Sequence, residues 1–144
     1  SQSSSQNGNI TRYKNVSFVS ATEYEARIGL RDYESGLAVV MNKLIAETSA
    51  KYGFLKMGAE GVLGQEMKGS RLYQLQSLNK FLIQDTAGAG DSMLISASMA
   101  LTCGANVSEA LLIGSICAAK QISRLGNIPI GFDELCTQLQ QIKV

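Results

Sequence analysis

The sequence predicts an α/β fold with a mainly parallel sheet. Three observations carry this expectation. β-prone runs and amphipathic helical stretches alternate at both ends of the chain, a hairpin-like stretch punctuated by glycines lies between them, and 45% of the 144 residues are hydrophobic, enough to fill a packed core. Length alone points to one domain. Residues 1–9 hold only Ser, Gln, Asn and Gly, with nothing apolar to offset the entropy of ordering, so they read as a flexible tail ahead of a domain spanning 10–144.

Within that domain, residues 16–19 form a short β-prone run. Thr22 with Glu25 three residues later has the spacing of a capping box and opens a helix that ends near Gly29. A second helix over 34–50 follows from Leu37, Val40, Met41, Leu44 and Ile45, which recur at three-four spacing along one face. Residues 52–57 read as a buried strand, Gly58 and Gly61 bracket a turn, and 61–67 returns as another strand. Gly69 marks a further turn before a strand at 72–75, and 81–83 looks like one more short strand. From 92 to 103 the sequence is apolar nearly all round, as expected of a helix enclosed by other elements. Asn106 with Glu109 caps the next helix. Its face of Val107, Ala110, Leu111, Gly114, Cys117, Ala118 and Ile122 is small enough for close packing. Gly126 ends that helix, Pro129 forbids its continuation, and a last helix covers 132–142.

Composition removes several function classes. Thirteen Lys and Arg against 12 Asp and Glu leave a formal charge of +1, no broad basic field for nucleic acid or an anionic membrane. No apolar run approaches the ~20 residues of a membrane span, and no signal-peptide layout opens the chain, so a cytoplasmic location is expected. Cys103, Cys117 and Cys136 are widely spaced with no C-x-x-C pair, and all three read as buried thiols. Histidine is absent, which excludes Ser-His-Asp and Cys-His machinery and leaves acid–base chemistry to carboxylates, Lys, Tyr or Cys.

The chemically informative segment is Asp85-Thr86-Ala87-Gly88-Ala89-Gly90-Asp91, set between a short strand and a very apolar helix. Gly88, Ala89 and Gly90 have little or no side chain to keep an anion from their amides. They also fall on the first helical turn, where unpaired N–H groups and the dipole favour phosphate. Asp91 stands beside that site, placed to take a proton from a substrate hydroxyl. On glycine content alone a plain turn feeding a buried helix, with Asp91 as a first-turn acid, fits equally well. Two other nucleotide motifs fail on spacing. The third glycine of G-x-G-x-x-G would fall on Met93, and there is no Gly-Lys-Ser/Thr of a P-loop.

Taken whole, D-T-A-G-A-G-D resembles the D-T-x-G-A-G-D signature of the ribokinase-like (PfkB-type) carbohydrate kinases. The resemblance implies a ribokinase-like three-layer fold, with Asp91 as catalytic base and Gly88, Ala89 and Gly90 as the anion hole for the transferred phosphoryl group. Asp85 and the Ala87 carbonyl would bind a monovalent cation such as K+. Lys56-Met57-Gly58-Ala59-Glu60-Gly61 is similar to the family's T-x-G-x-x-G turn beneath the nucleotide, with Lys56 in place of Thr. This assigns Lys56, Gly58 and Gly61 to the nucleotide, along with Ala119 and Gly126 from the late helix and loop that flank the adenine. Ser20-Ala21-Thr22-Glu23 lies where members carry N-x-x-E, so Glu23 would help organise Mg2+ and the phosphates, with Ser20 replacing Asn. A shifted register would use Glu25 instead, but Glu25 already has a structural role in the capping box. The spacing from Glu23 to Gly29, with Leu125-Gly126, is most similar to the heptose-kinase branch.

The resemblance covers 16–142 and corresponds to the family's C-terminal half; its N-terminal half supplies the sugar-binding residues and a β lid. The expected ligands are ATP, Mg2+ and a sugar. Expected, too, is an apolar face that leads the chain to associate with itself or with an N-terminal half. A non-catalytic nucleotide-binding module and a structural interaction domain remain as alternatives.

Overall fold

A computed structural model describes residues 8–78, 86–126 and 128–142. The chain divides into two compact units, Ser1–Ser77 and Leu78–Val144, where length alone pointed to one.

The first unit is a sheet with helices. A 3-10 turn, Ile10–Arg12, is capped by Asn9, whose side chain accepts from the Thr11 amide, so ordered structure already includes the last residue of the expected tail. Four strands follow in spatial order β1 (Phe18–Thr22), β2 (Tyr52–Lys56), β3 (Val62–Glu66) and β4 (Leu72–Leu75). Only β1 and β2 are parallel, with Phe18 opposite Tyr52 and Thr22 opposite Lys56. The pairs β2–β3 and β3–β4 are antiparallel, so the described sheet is mixed rather than mainly parallel. The physical reason is connection length. A parallel pair needs a crossover, here α1 (Glu23–Leu30) and α2 (Leu37–Thr48), whereas the five-residue links after β2 and after β3 permit only hairpins. The strand expected at 81–83 lies outside the described residues.

Local sequence explains the helices. Thr22 and Glu25 form both bonds of the capping box: the Glu25 amide donates to the Thr22 hydroxyl, and the Thr22 amide donates to the Glu25 carboxylate at 2.7 Å. On α2, Val40, Met41, Leu44 and Ile45 are buried together with Val19, Ala21, Leu55 and Leu63 from the strands, forming one continuous core. Gly53 lets this helix lie close to the sheet, because a Cβ there would sit 2.8 Å from Ile45. On the opposite face of β1 and β2, Phe18 meets Phe54 edge-on with ring centroids 4.8 Å apart.

The described part of the second unit is helical: α3 (Ala89–Thr102), α4 (Val107–Ile122) and α5 (Phe132–Gln141). Asn106 and Glu109 complete a capping box on α4. Gly114 sits where α3 and α4 meet, and a Cβ on it would approach Met93 to 3.1 Å and Ala97 to 3.3 Å. Met93 and Ala97 are the buried residues of α3, but Ile95 and Met99 are 60% and 64% exposed, so the helix expected to be enclosed carries an apolar outer side. The cysteines also divide. Cys117 is buried, its thiol pKa pushed up by desolvation, whereas Cys136 is half-buried and Cys103 is exposed at the end of α3, where neighbouring elements do not reach it.

Candidate functional site

Site residues occur in both units, and each group has its own geometry. In the second unit, Gly88 is the N-cap of α3 with φ 76°, a left-handed conformation that costs glycine nothing and other residues dearly. As a glycine it brings no side chain of its own to cap the helix; the Ser92 amide donates to the Gly88 carbonyl at 2.8 Å as the first helical bond. The amides of Ala89, Gly90 and Asp91 therefore belong to the first turn, which has no carbonyl partner within the helix. Gly88, Ala89 and Gly90 are half-buried and Asp91 is exposed, so this turn is not sealed inside the apolar core. Asp91 is the third residue of the helix. Asp85 lies outside the described residues; Ala87, two residues before α3, is exposed.

Further along this unit, Ala119 is buried on α4, and Gly126 is exposed in the turn that follows it. The Gly126 carbonyl accepts from the Gln121 side-chain amide at 3.1 Å. Gln121 is only 3% exposed; its role was not read from the sequence, where the signal was the one amide side chain of a mostly apolar helix.

In the first unit the parallel pair organises the candidate residues. Thr22 is opposite Lys56, so β1 and β2 finish side by side at their carboxyl ends. Glu23 follows β1 directly and a 3-10 turn, Gly58–Glu60, follows β2 after one residue, which brings both to the sheet edge where open α/β folds bind ligands. Gly61 has φ 100°, and a Cβ on it would lie 2.0 Å from the Leu75 carbonyl, so no other residue closes this turn onto β4. Gly58 borders open space. Lys56 is half-buried at the end of β2.

The two glutamates separate by partner. Glu25 is 7% exposed and its carboxylate accepts from the amide and the hydroxyl of Thr22. Glu23 is more open, and its carboxylate accepts from Arg27 Nε at 2.8 Å. Arg27 also donates to the carbonyls of Asp32 and Ser35, tying Glu23 to the α1–α2 connection. Asp32 in turn pairs with Lys43 and accepts from the Ser35 amide. These bonds, that from Lys43 foremost, hold its carboxyl far below the usual range. Ser20, three residues before Glu23, is buried in β1 with a hydroxyl that has no hydrogen-bond partner among the described residues.

Among the described residues no group of three or more His, Cys, Asp or Glu could hold a metal alone, and no helix is long and apolar enough to cross a membrane. A single half-open carboxylate suits Mg2+, which keeps its waters and is held through one or two carboxylates plus substrate phosphates.

Residues 6–131 match the pfkB family carbohydrate kinase. The Bifunctional protein HldE of Campylobacter concisus (strain 13826) is 24% identical over 129 residues, covering 87% of this chain and 26% of that relative. Ribokinase from Thermotoga maritima superposes with a TM-score of 0.74 at 23% identity, over 86% of this chain and 42% of that one. Ribokinase from Arabidopsis thaliana, solved with ribose and ATP, gives 0.75 at 19% identity over 85% and 40%. Phosphofructokinase-2 from Escherichia coli in complex with potassium gives 0.73 at 19% over 86% and 40%. The fold is ribokinase-like, and the chain spans about a quarter of the curated relative it matches and about two fifths of the solved structures.

Proposed function

The chain belongs to the pfkB family of carbohydrate kinases, and on that premise we propose that it supplies the ATP site, anion hole and catalytic base for phosphorylation of a sugar hydroxyl. The observation that carries this reading is the first turn of α3, with Gly88 left-handed at its N-cap and Asp91 exposed three residues later.

In this reading the amides of Gly88, Ala89 and Gly90 neutralise charge on the transferred phosphoryl group, a contribution that grows as charge develops in the transition state. The Asp91 carboxylate accepts the proton of the attacking hydroxyl, so that a more nucleophilic oxygen meets the phosphorus while the leaving diphosphate departs on the far side. Glu23, oriented by Arg27, would hold Mg2+ together with phosphate oxygens; the ion, when bound, screens phosphate charge. Asp85 and the Ala87 carbonyl are assigned to K+, a reading the potassium complex of the Escherichia coli relative supports. The nucleotide is assigned to Lys56, Gly58, Gly61, Ala119 and Gly126, with the Lys56 ammonium on a phosphate where the family's Thr hydroxyl would be. Within the family, the heptose-kinase branch is the finer reading of the 23–29 and 125–126 segments. The protein works in the cytoplasm.

A second reading, a nucleotide-binding module without turnover, draws on Ser20. Its buried hydroxyl has no partner among the described residues at the position where kinases of this type carry an amide side chain. Paired measurements separate the two. Titration calorimetry with ATP and Mg2+ should give binding in the wild-type chain and in Asp91→Asn alike. Sugar-dependent ATP turnover, measured with the remaining portion of the fold present, should fall about 10²–10⁴-fold in Asp91→Asn, as expected for loss of a general base. Wild-type binding without turnover on any sugar would favour the module. Turnover in Asp91→Asn equal to wild type would remove Asp91 as the base.

A further inference from the structure

The turn assigned above to the nucleobase side is held by side chains from both helices that flank it. At the end of α4, Gln121 donates to the Gly126 carbonyl at 3.1 Å, while the next turn of chain carries Arg124. The Arg124 guanidinium pairs with the Glu134 carboxylate on the first turn of α5, and Lys120 Nζ lies 3.6 Å from the same oxygen. Lys120 and Arg124 are four residues apart and converge on one acid, so Glu134 ties the start of α5 to both ends of the turn. Side-chain exposures of 17% for Lys120, 24% for Arg124 and 32% for Glu134 make the cluster partly shielded, where charge-assisted bonds outweigh those on an open surface. The bond from Arg124, with the two positive charges, holds the Glu134 carboxyl below the usual glutamate range against a smaller effect of burial. Backbone bonds add to these: Arg124 N donates to the Gln121 carbonyl at 3.4 Å and Ile128 N to the Gly126 carbonyl at 3.1 Å.

We propose that Glu134 is a positioning residue for nucleotide binding: through Arg124 and Lys120, and together with Gln121, it fixes the 123–126 turn in the shape that receives the nucleoside. This rests on the assignment of that turn made under the proposed function. Glu134 touches neither phosphate nor base itself. It removes the turn's alternative conformations in the free protein, so that binding need not meet the cost of ordering it.

The test compares wild type, Glu134→Gln and Gln121→Met, the last removing the donor with little change of volume. Three readouts are taken: amide hydrogen exchange of Arg124 and Ile128 without nucleotide, ADP–Mg2+ affinity by calorimetry, and melting temperature. Both variants should exchange faster at these amides by about five- to tenfold and bind ADP several-fold more weakly, with amides in the middle of α4 unaffected. Unchanged exchange at Arg124 and Ile128 in Glu134→Gln would overturn the clamp, whatever ADP does. Faster exchange with unchanged ADP affinity would reduce the cluster to a structural ion pair and overturn the positioning role. Wild-type protein that binds no ADP would instead overturn the nucleotide assignment of the turn, and the positioning role with it.

Discussion

At Gly61 the geometry leaves a single choice of residue. Its φ of 100° disfavours any side chain, and the Leu75 carbonyl stands where a Cβ would go, so Gly61→Ala must displace backbone rather than rotate a side chain. A cost of at least ~2 kcal/mol is expected, from backbone strain and the broken β3–β4 contact together, and urea denaturation measures it. Gly58 is also left-handed at φ 61° but has open space around it, so if both glycines serve the nucleotide both alanine variants should lose stability and affinity, with the larger stability loss at Gly61, where backbone must also move. Asp32 offers a pH-dependent test. Its folded pKa is lowered by Lys43 and Ser35, so its ionised form contributes stability that is complete above the unfolded value of ~3.9 and is lost as pH falls toward the lower folded value. Asp32→Asn should therefore melt below wild type at pH 7, and the gap should narrow below about pH 4. A constant gap down to pH 2 would mean that the ionised form of Asp32 is not the source of the difference. Asp91 was legible because seven contiguous residues carry its motif. Gln121 and Glu134 were not, since each acts through a partner that sequence separation alone does not select.

At the level of elements, close approach of α3 and α4 depends on Gly114. Met93 and Ala97 already lie 3.1 and 3.3 Å from where its Cβ would be, so Gly114→Leu has no space to fill and must push the helices apart. About 1–3 kcal/mol of destabilisation is expected from overpacking, read by thermal melting. Because α3 also carries Gly88 at its cap and Asp91 in its first turn, the same variant should weaken ATP binding beyond what the lost stability explains. The starts of α1 and α4 were predicted to the residue because their caps are local, Thr22 with Glu25 and Asn106 with Glu109, whereas α4 ends at Ile122 rather than at Gly126. The strands were placed but not paired: the sequence shows where a strand is, while pairing direction follows from which neighbour each connection can reach.

For the whole molecule, the outer side of α3 is the feature with the widest consequence. Asp91, Ile95 and Met99 recur at four-residue spacing and all three are exposed, so an apolar strip leads away from the acid assigned as base. Contiguous apolar surface of this kind favours association, and we expect the chain to self-associate at micromolar concentration, as read by sedimentation velocity. Replacing Ile95 and Met99 by Lys should shift the distribution to monomer without unfolding the helix, because both positions are solvent-facing. A wild-type chain that sediments as a monomer at every concentration would refute this. The chain spans about two fifths of the solved ribokinase-like structures, so sugar turnover is assigned to the fold as a whole rather than to this portion of it.

The sequence by itself determined what depends on neighbours within a few residues: the capping boxes, the three-four stripe of α2, the glycine turn after β2 and the D-T-A-G-A-G-D segment with its family. These features are local because a helix cap or a left-handed glycine is decided within a handful of bonds. The tertiary structure alone decided which cysteine is buried and which side of α3 stays exposed. It also decided that a glutamate on α5 reaches back to an arginine beyond α4. Each of these depends on residues far apart in sequence being brought together by burial of the apolar faces, and no pattern along the chain specifies which distant partner is met.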